Sequence, residues 1–332
     1  SQGYGNRSDN FKGFLQCINI FFFGLGICLS GAAFAANNPD DGTWADRRHD
    51  EVHNRINRWA HKMDGWFGTP NPDKPASANL RIMLDTEWNK YDEFSVKPRV
   101  RGKVKLPVLQ RKLNVVFGDD SLDDDLQQEA TAYRNTPDGK NKTFDTTKTR
   151  DSNSSLALRW SDITQKHGIE TDFDLGVRSG DDIYARAKAS KSWQLDDRLY
   201  TRLEQIYRYG LDSKHHVRTN WETRYLPEGN AFIADQLYLQ YEHDDKEDWT
   251  WGNSLYRQHD LNKHRYFNYG VYTGGKIENK KAKLNSYGPF TGYRQPVWRD
   301  WLFAQTELNY YNDREKNRSH HIGALLRLEA LF

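Results

Sequence analysis

From Asn79 onward apolar and polar side chains alternate with a period of two. Over Phe94–Leu106, Phe94, Val96, Pro98, Val100, Gly102, Val104 and Leu106 fall on one face and Ser95, Lys97, Arg99, Arg101, Lys103 and Lys105 on the other. A strand sends successive side chains to opposite faces, so the stretch reads as a strand with one apolar and one cationic surface. Ile169–Val177 repeats the pattern against Glu170, Asp172 and Asp174, and Val217–Tyr225 repeats it against Arg218, Glu222 and Arg224. Strands are predicted at 79–89, 92–106, 110–119, 152–161, 166–178, 181–194, 198–211, 214–225, 230–242, 248–259, 263–275, 281–293, 299–311 and 318–332. The weakest are 110–119, 248–259 and 281–293, the last because Pro289 cannot donate to a ladder and belongs at an edge or bulge. Twelve strands is the reserve count.

Before the strands the period is helical. Val52, Ile56, Trp59, Met63 and Trp66 or Phe67 recur three and four apart, with charged residues on the other face. This predicts an amphipathic helix over Asp46–Phe67, ended by Gly68-Thr69-Pro70. It is too short for a domain, and is expected to dock at the mouth of the strand domain, enter its interior or lie on a membrane surface. Phe14–Ala35 is apolar, follows Arg7 and Lys12 and closes on Ala33-Phe34-Ala35, the layout of a secretory signal. The expected organisation is a signal peptide at 1–35, a periplasmic leader and helix at 36–78 and the strand domain at 79–332. Both cysteines, Cys17 and Cys28, lie in the signal, so the mature chain would have none.

Composition selects the class. Mean hydropathy is −0.94, and nothing after the N-terminus has the ~20 continuous apolar residues of a spanning helix. Aromatics make up 14%, too many for a disordered chain. Long alternating strands with low mean hydropathy fit an all-β fold, a transmembrane antiparallel β-barrel, in which only alternate residues face lipid. Trp88, Trp160, Trp193, Tyr225, Trp249, Trp298, Trp301 and Tyr311 near predicted strand ends suit interfacial girdles. The long polar stretch Asp120–Asp151 falls in an odd gap between strands, the external side if the first strand starts in the periplasm. A net charge of +2 gives no basic footprint for nucleic acid.

The chain resembles a group of proteobacterial outer-membrane proteins over nearly its whole mature length. The resemblance rests on the N-terminal helix ending in Trp66-Phe67-Gly68 and on the strand Val96-Lys97-Pro98-Arg99-Val100-Arg101-Gly102-Lys103. It also rests on Tyr287-Gly288-Pro289-Phe290, Tyr293-Arg294-Gln295-Pro296 and Trp298-Arg299-Asp300-Trp301-Leu302-Phe303. It implies a fold and a location, the bacterial outer membrane, and no activity or catalytic residue. The last strand, ending on Phe332, resembles the signal by which such proteins reach the barrel-assembly machinery. Outer-membrane lipid and lipopolysaccharide are the other expected partners.

If apolar faces meet lipid, the charged faces line a lumen. That lumen is expected to hold a basic ladder (Lys97, Arg99, Arg101, Lys103, Lys105), an acidic ladder (Glu170, Asp172, Asp174) and mixed strands (Arg202, Glu204; Arg218, Glu222, Arg224; Arg327, Glu329). Isolated charges in a narrow interior are costly, so pairing across strands is expected. Two readings stand: a water-filled pore for small polar or charged solutes, with Arg99 and Arg101 setting ion selectivity, or a barrel filled by salt bridges. A lipid-modifying hydrolase is the third. It would need a nucleophile with a base, and no Gly-x-Ser-x-Gly is present. The histidines (His215-His216, His259, His264, His320-His321) read as solvated loop residues, and no enzyme activity is expected. His49 and His53 are four apart but lack the His-Glu-x-x-His pattern. Asp119-Asp120-Ser121-Leu122-Asp123-Asp124-Asp125 is oxygen-rich without the spacing of a calcium loop and reads as a charged surface loop. No metal or other cofactor is expected.

Overall fold

The computed structural model describes residues 44–67, 76–109, 113–123, 152–164, 167–179, 181–227, 229–243, 248–262 and 264–332. The predicted signal peptide, Gly68 and most of the 120–151 stretch lie outside them. Helix α1 (Trp44–Phe67) precedes fourteen strands: β1 (Ser77–Asn89), β2 (Glu93–Lys105), β3 (Leu113–Gly118), β4 (Ser155–Thr164), β5 (Ile169–Arg178), β6 (Asp182–Asp196), β7 (Leu199–Gly210), β8 (Lys214–Tyr225), β9 (Ala231–Glu242), β10 (Asp248–Asn262), β11 (Arg265–Glu278), β12 (Lys281–Trp298), β13 (Leu302–Asp313) and β14 (Arg318–Leu331). Each strand pairs with its sequence neighbours, and β14 pairs back to β1. All pairings are antiparallel. This is a closed fourteen-stranded barrel.

Closure joins Arg81–Asn89 to Gly323–Leu331, with Asp85 opposite Arg327. The Leu80 and Phe332 backbones exchange hydrogen bonds of 3.0 and 2.8 Å just beyond. At the other end of the seam, Arg318 of β14 donates through both Nη atoms to Asp92 of the β1–β2 turn, at 2.6 and 2.8 Å. Those hydrogen bonds, acting against partial burial, hold the Asp92 carboxyl below the usual carboxylate range. The clamp's contribution is therefore complete above the ordinary aspartate range and is lost only as pH falls through the lowered folded value. Arg318→Ala is expected to cost at most about 1 kcal/mol in urea unfolding, a difference constant above about pH 5 that shrinks in stronger acid.

The three weakest predicted strands all form, with bounds other than those predicted. β3 has only six described residues, Leu113–Gly118, and follows the 3-10 turn Pro107–Leu109. β10 and β12 run on past their predicted ends. Pro289 does not end β12, but the β12–β13 ladder begins only at Phe290↔Asn309. Below Phe290 in sequence, the Tyr287 N–H is taken by Asn312 Oδ1 at 2.9 Å instead of by a backbone carbonyl.

The chain forms two compact units that meet in sequence after Asn54. In the first unit, Arg48 pairs with Glu51 at 2.7 Å, and the His49 and His53 rings stack 6.4 Å apart. In the second unit the remaining turns of α1 pack on the barrel wall. Ala60 is fully buried among Ala76, Ala78, Val104, Leu106 and Val115, with Ile56 and Met63 beside it. Asn57 Oδ1 accepts the Ala78 N–H at 3.1 Å, and Asp64 Oδ1 accepts the Val108 N–H at 3.1 Å. Ala78, Val104 and Val115 are cross-strand partners in one row, continued by exposed Leu158 and opposite in parity to the paired charges of the interior. These turns of the helix therefore lie on the outward wall and do not enter the lumen. The apolar spacing of Ile56, Ala60 and Met63 requires a flat apolar partner, which the outward face supplies.

Candidate functional site in the lumen

Inward positions follow from strand parity. Every predicted ladder residue falls on the inward face, in register with partners the sequence could not assign. Arg327 donates to both Asp85 oxygens, at 2.6 and 2.7 Å. Glu329 accepts from Arg294 at 2.6 Å and from Arg81. Asp174 takes Arg159 through Nε and Nη2, both at 2.6 Å, with Arg186 at 3.5 Å. Glu204 lies 3.1 Å from Lys188, and Glu170 lies 3.1 Å from Arg202. Asp172 accepts from Ser161 at 2.6 Å, and Lys97 meets Glu87 at 3.2 Å. Arg218 donates to Asn220 and Gln240 at 2.9 and 2.6 Å. Glu222 pairs with Arg224 at 2.8 Å. Lys103 is half-buried and Lys105 exposed.

The element that organises this wall is the segment after β3. Gly118 has φ of +100°, and a Cβ there would lie 2.1 Å from the Val100 carbonyl oxygen. Only glycine fits this left-handed close approach. The chain turns inward through it, with the Asp119 N–H donating to Val100 O at 2.6 Å, and Asp120–Asp123 form a short 3-10 turn. Each acid of that turn meets guanidinium. Asp119 accepts from Arg99 at 2.7 Å. Asp120 accepts from Arg178 at 2.9 Å and from Arg208 at 3.5 Å. Asp123 accepts from Arg159 at 2.6 Å and from Arg101. The acidic cluster is therefore not a charged surface loop: its described part lies inside, saturated by arginine, leaving no open oxygen cage for calcium. Asp124 and Asp125 lie outside the described residues. Asn153 closes the wall where β3 stops, its Oδ1 taking the Val100 N–H at 2.7 Å and its Nδ2 donating to Pro98 O at 2.9 Å.

The opposite wall has another chemistry. Phe232, Ala234, Tyr256, Tyr272, Phe290, Tyr311 and Leu325 form a buried cluster on inward positions. Tyr311 is thus no girdle residue: its ring lies 5.4 Å from that of Tyr272 inside. Trp88, Trp160, Trp193, Tyr225 and Trp249 are exposed. Amides stand among the inward aromatics; Gln236 Nε2 donates to Tyr256 Oη at 3.2 Å. The lumen thus has a side rich in salt bridges, mainly on β1–β8 and β14, and a side rich in aromatics and amides, mainly on β9–β13, which Arg294 of β12 links to Glu329 of β14.

The histidines are dispersed. His215 and His320 pack on tyrosines, His216 lies 3.3 Å from Glu242, and His264 stands by Phe303. Among the described residues no group of three or more His, Cys, Asp or Glu is placed to hold a metal ion.

No protein-family model matches the sequence, and no curated protein matches it either. The chain is similar in structure to OmpT, an outer membrane protein of Vibrio cholerae (7% identity, 80% of this chain and 99% of that one, TM-score 0.48). It is similar to the outer membrane channel DcaP of Acinetobacter baumannii (7%, 80% and 99%, TM-score 0.44). It is also similar to Pseudomonas putida OprB (11%, 78% and 93%, TM-score 0.45).

Proposed function

We propose that this chain is a bacterial outer-membrane channel for small polar solutes, passive and without covalent chemistry. The observation that carries the reading is the inward fold of Asp119–Asp123 onto one wall. It occupies the salt-bridged half, and the facing half presents hydroxyls, amides and aromatic rings. A path bounded in this way is narrow, with the charges of the salt-bridged wall already paired, so along that wall polarity and size would select more strongly than charge. The ladders of β2 and β5 then act chiefly as structure. Neutralising Arg99 or Arg101 would loosen the segment they hold before it altered selectivity. Lipopolysaccharide, outer-membrane lipid and the barrel-assembly machinery are the partners this reading implies.

Folded full-length protein in planar bilayers is expected to give small, ohmic, voltage-independent steps, and fractionated cells to carry it in the outer membrane. Persistent silence in bilayers would instead favour a filled structural barrel. That second reading is supported by the number of inward acids and arginines that are both buried and paired.

A further inference from the structure

At the end of the barrel where β1 starts and β14 finishes lies a cavity of about 640 Å³, within the ~300–1,000 Å³ span of small-molecule sites. It is built by the ends of β8, β10, β12 and β14 and the starts of β9, β11 and β13. Three guanidinium groups in its lining carry an N–H with no hydrogen-bond partner: Arg294 at Nη1, Arg265 at Nε and Arg224 at Nε, the last of these already ion-paired with Glu222. Arg294 is only 6% exposed. It is held in place by Glu329 through Nη2 at 2.6 Å and by the Phe303 ring 4.4 Å away. The unmet N–H thus belongs to a fixed side chain. Buried donors are almost always matched, so one left open on a cavity wall points to what fills the cavity. The lining also includes the rings of Phe232, Phe303 and Tyr266, the amide of Asn262 and two carboxylates, Asp260 and Asp300. Asp260 is itself oriented by Gln258 Nε2 at 2.9 Å.

We propose that this cavity binds a small polyhydroxylated carboxylate of hexuronate size, as a station on the channel path. The carboxylate would take the open donors of Arg265 and Arg294, a charge-assisted pairing stronger than a neutral one. The hydroxyls would meet Asp260 and Asn262, and the C–H face of the ring would lie on the aromatic side chains. The inference rests on the channel reading for its purpose, not for its detection.

Calorimetry on the folded full chain in detergent, with D-glucuronate, D-glucose and sodium sulfate as probes, tests it. Glucuronate is expected to bind at least about tenfold more tightly than glucose or sulfate. Arg265→Gln, which removes an Nε that has no hydrogen-bond partner among the described residues, should weaken glucuronate by about tenfold and leave the barrel's heat-modified gel shift unchanged. Arg294→Gln should weaken it further. Equal binding of all three probes, no glucuronate binding, or indifference to Arg265→Gln would overturn the proposal. A protein that conducts but ignores glucuronate sinks this site and spares the channel. A protein that binds glucuronate yet never conducts does the reverse.

Discussion

Replacing Asp120 and Asp123 together by asparagine is expected to raise single-channel conductance about threefold or more and to turn the path toward anions. The carboxylates of Asp120 and Asp123 are what face Arg178, Arg208, Arg101 and Arg159. Without them the interior would carry two uncompensated positive charges, although Arg159 keeps Asp174 and Arg178 lies 3.8 Å from Asp182, and the repulsion is relieved when the segment swings off the wall. Two outcomes then coincide: a wider bore and a positively charged one. Acid should not release Asp123. Burial pushes its carboxyl up, but the fields of Arg101, Arg159 and Arg186 override it and hold it well below the usual carboxylate range. The contribution of a carboxylate depressed in this way is lost only as pH falls through its lowered value, so the Asp123 contacts should persist down to about pH 4. Gly118→Ala should reproduce part of the effect with every charge intact, because its methyl would collide with the Val100 carbonyl. Unaltered conductance in both variants would mean that the segment does not set the bore.

Arg327→Ala should destabilise the barrel by about 3–5 kcal/mol, the cost of stranding a buried carboxylate. Asp85 is only 4% exposed and Arg327 only 2%, and they face each other across the closing seam. Arg99, 3.6 Å from Asp85, offers partial rescue, which favours the lower end of the range. Replacing both partners by leucine should recover most of the loss, since a buried ion pair is seldom more stabilising than well-packed apolar groups of similar volume. Urea-driven unfolding in lipid vesicles separates these cases. A double variant no more stable than Arg327→Ala would show that the seam needs this polar pair for register.

Much of this architecture was legible because period-two patterning survives local noise. The alternation around Ile169–Val177 and Ile322–Phe332 placed strands and both their faces correctly, and the parity of Arg99, Asp174 and Arg327 put them inside. Pairing was not legible. That Asp85 meets Arg327 depends on register between the first and last strands, which no local pattern encodes. The inward turn at Asp119 was misread because acidic runs usually face solvent. The signal was there in Gly118 immediately before the run, with arginines at inward parity on β2, β4, β5 and β7 to receive it. The aromatic half was missed for a related reason. Tyr256, Tyr272 and Tyr311 alternate with other apolar or aromatic residues, so hydrophobicity alone cannot say which row faces in. Expecting apolar rows outside and ions inside assigned Tyr311 to the wrong side.

The turns of α1 shielding the row Ala78–Val104–Val115 also bear on how such barrels could cluster. Where protein already covers the wall, hydrocarbon need not wet it and no sister molecule can press against it. Any self-assembly should use the uncovered sector around Leu237, Leu255 and Val271, and cysteine crosslinking between copies should succeed there and fail at Val115.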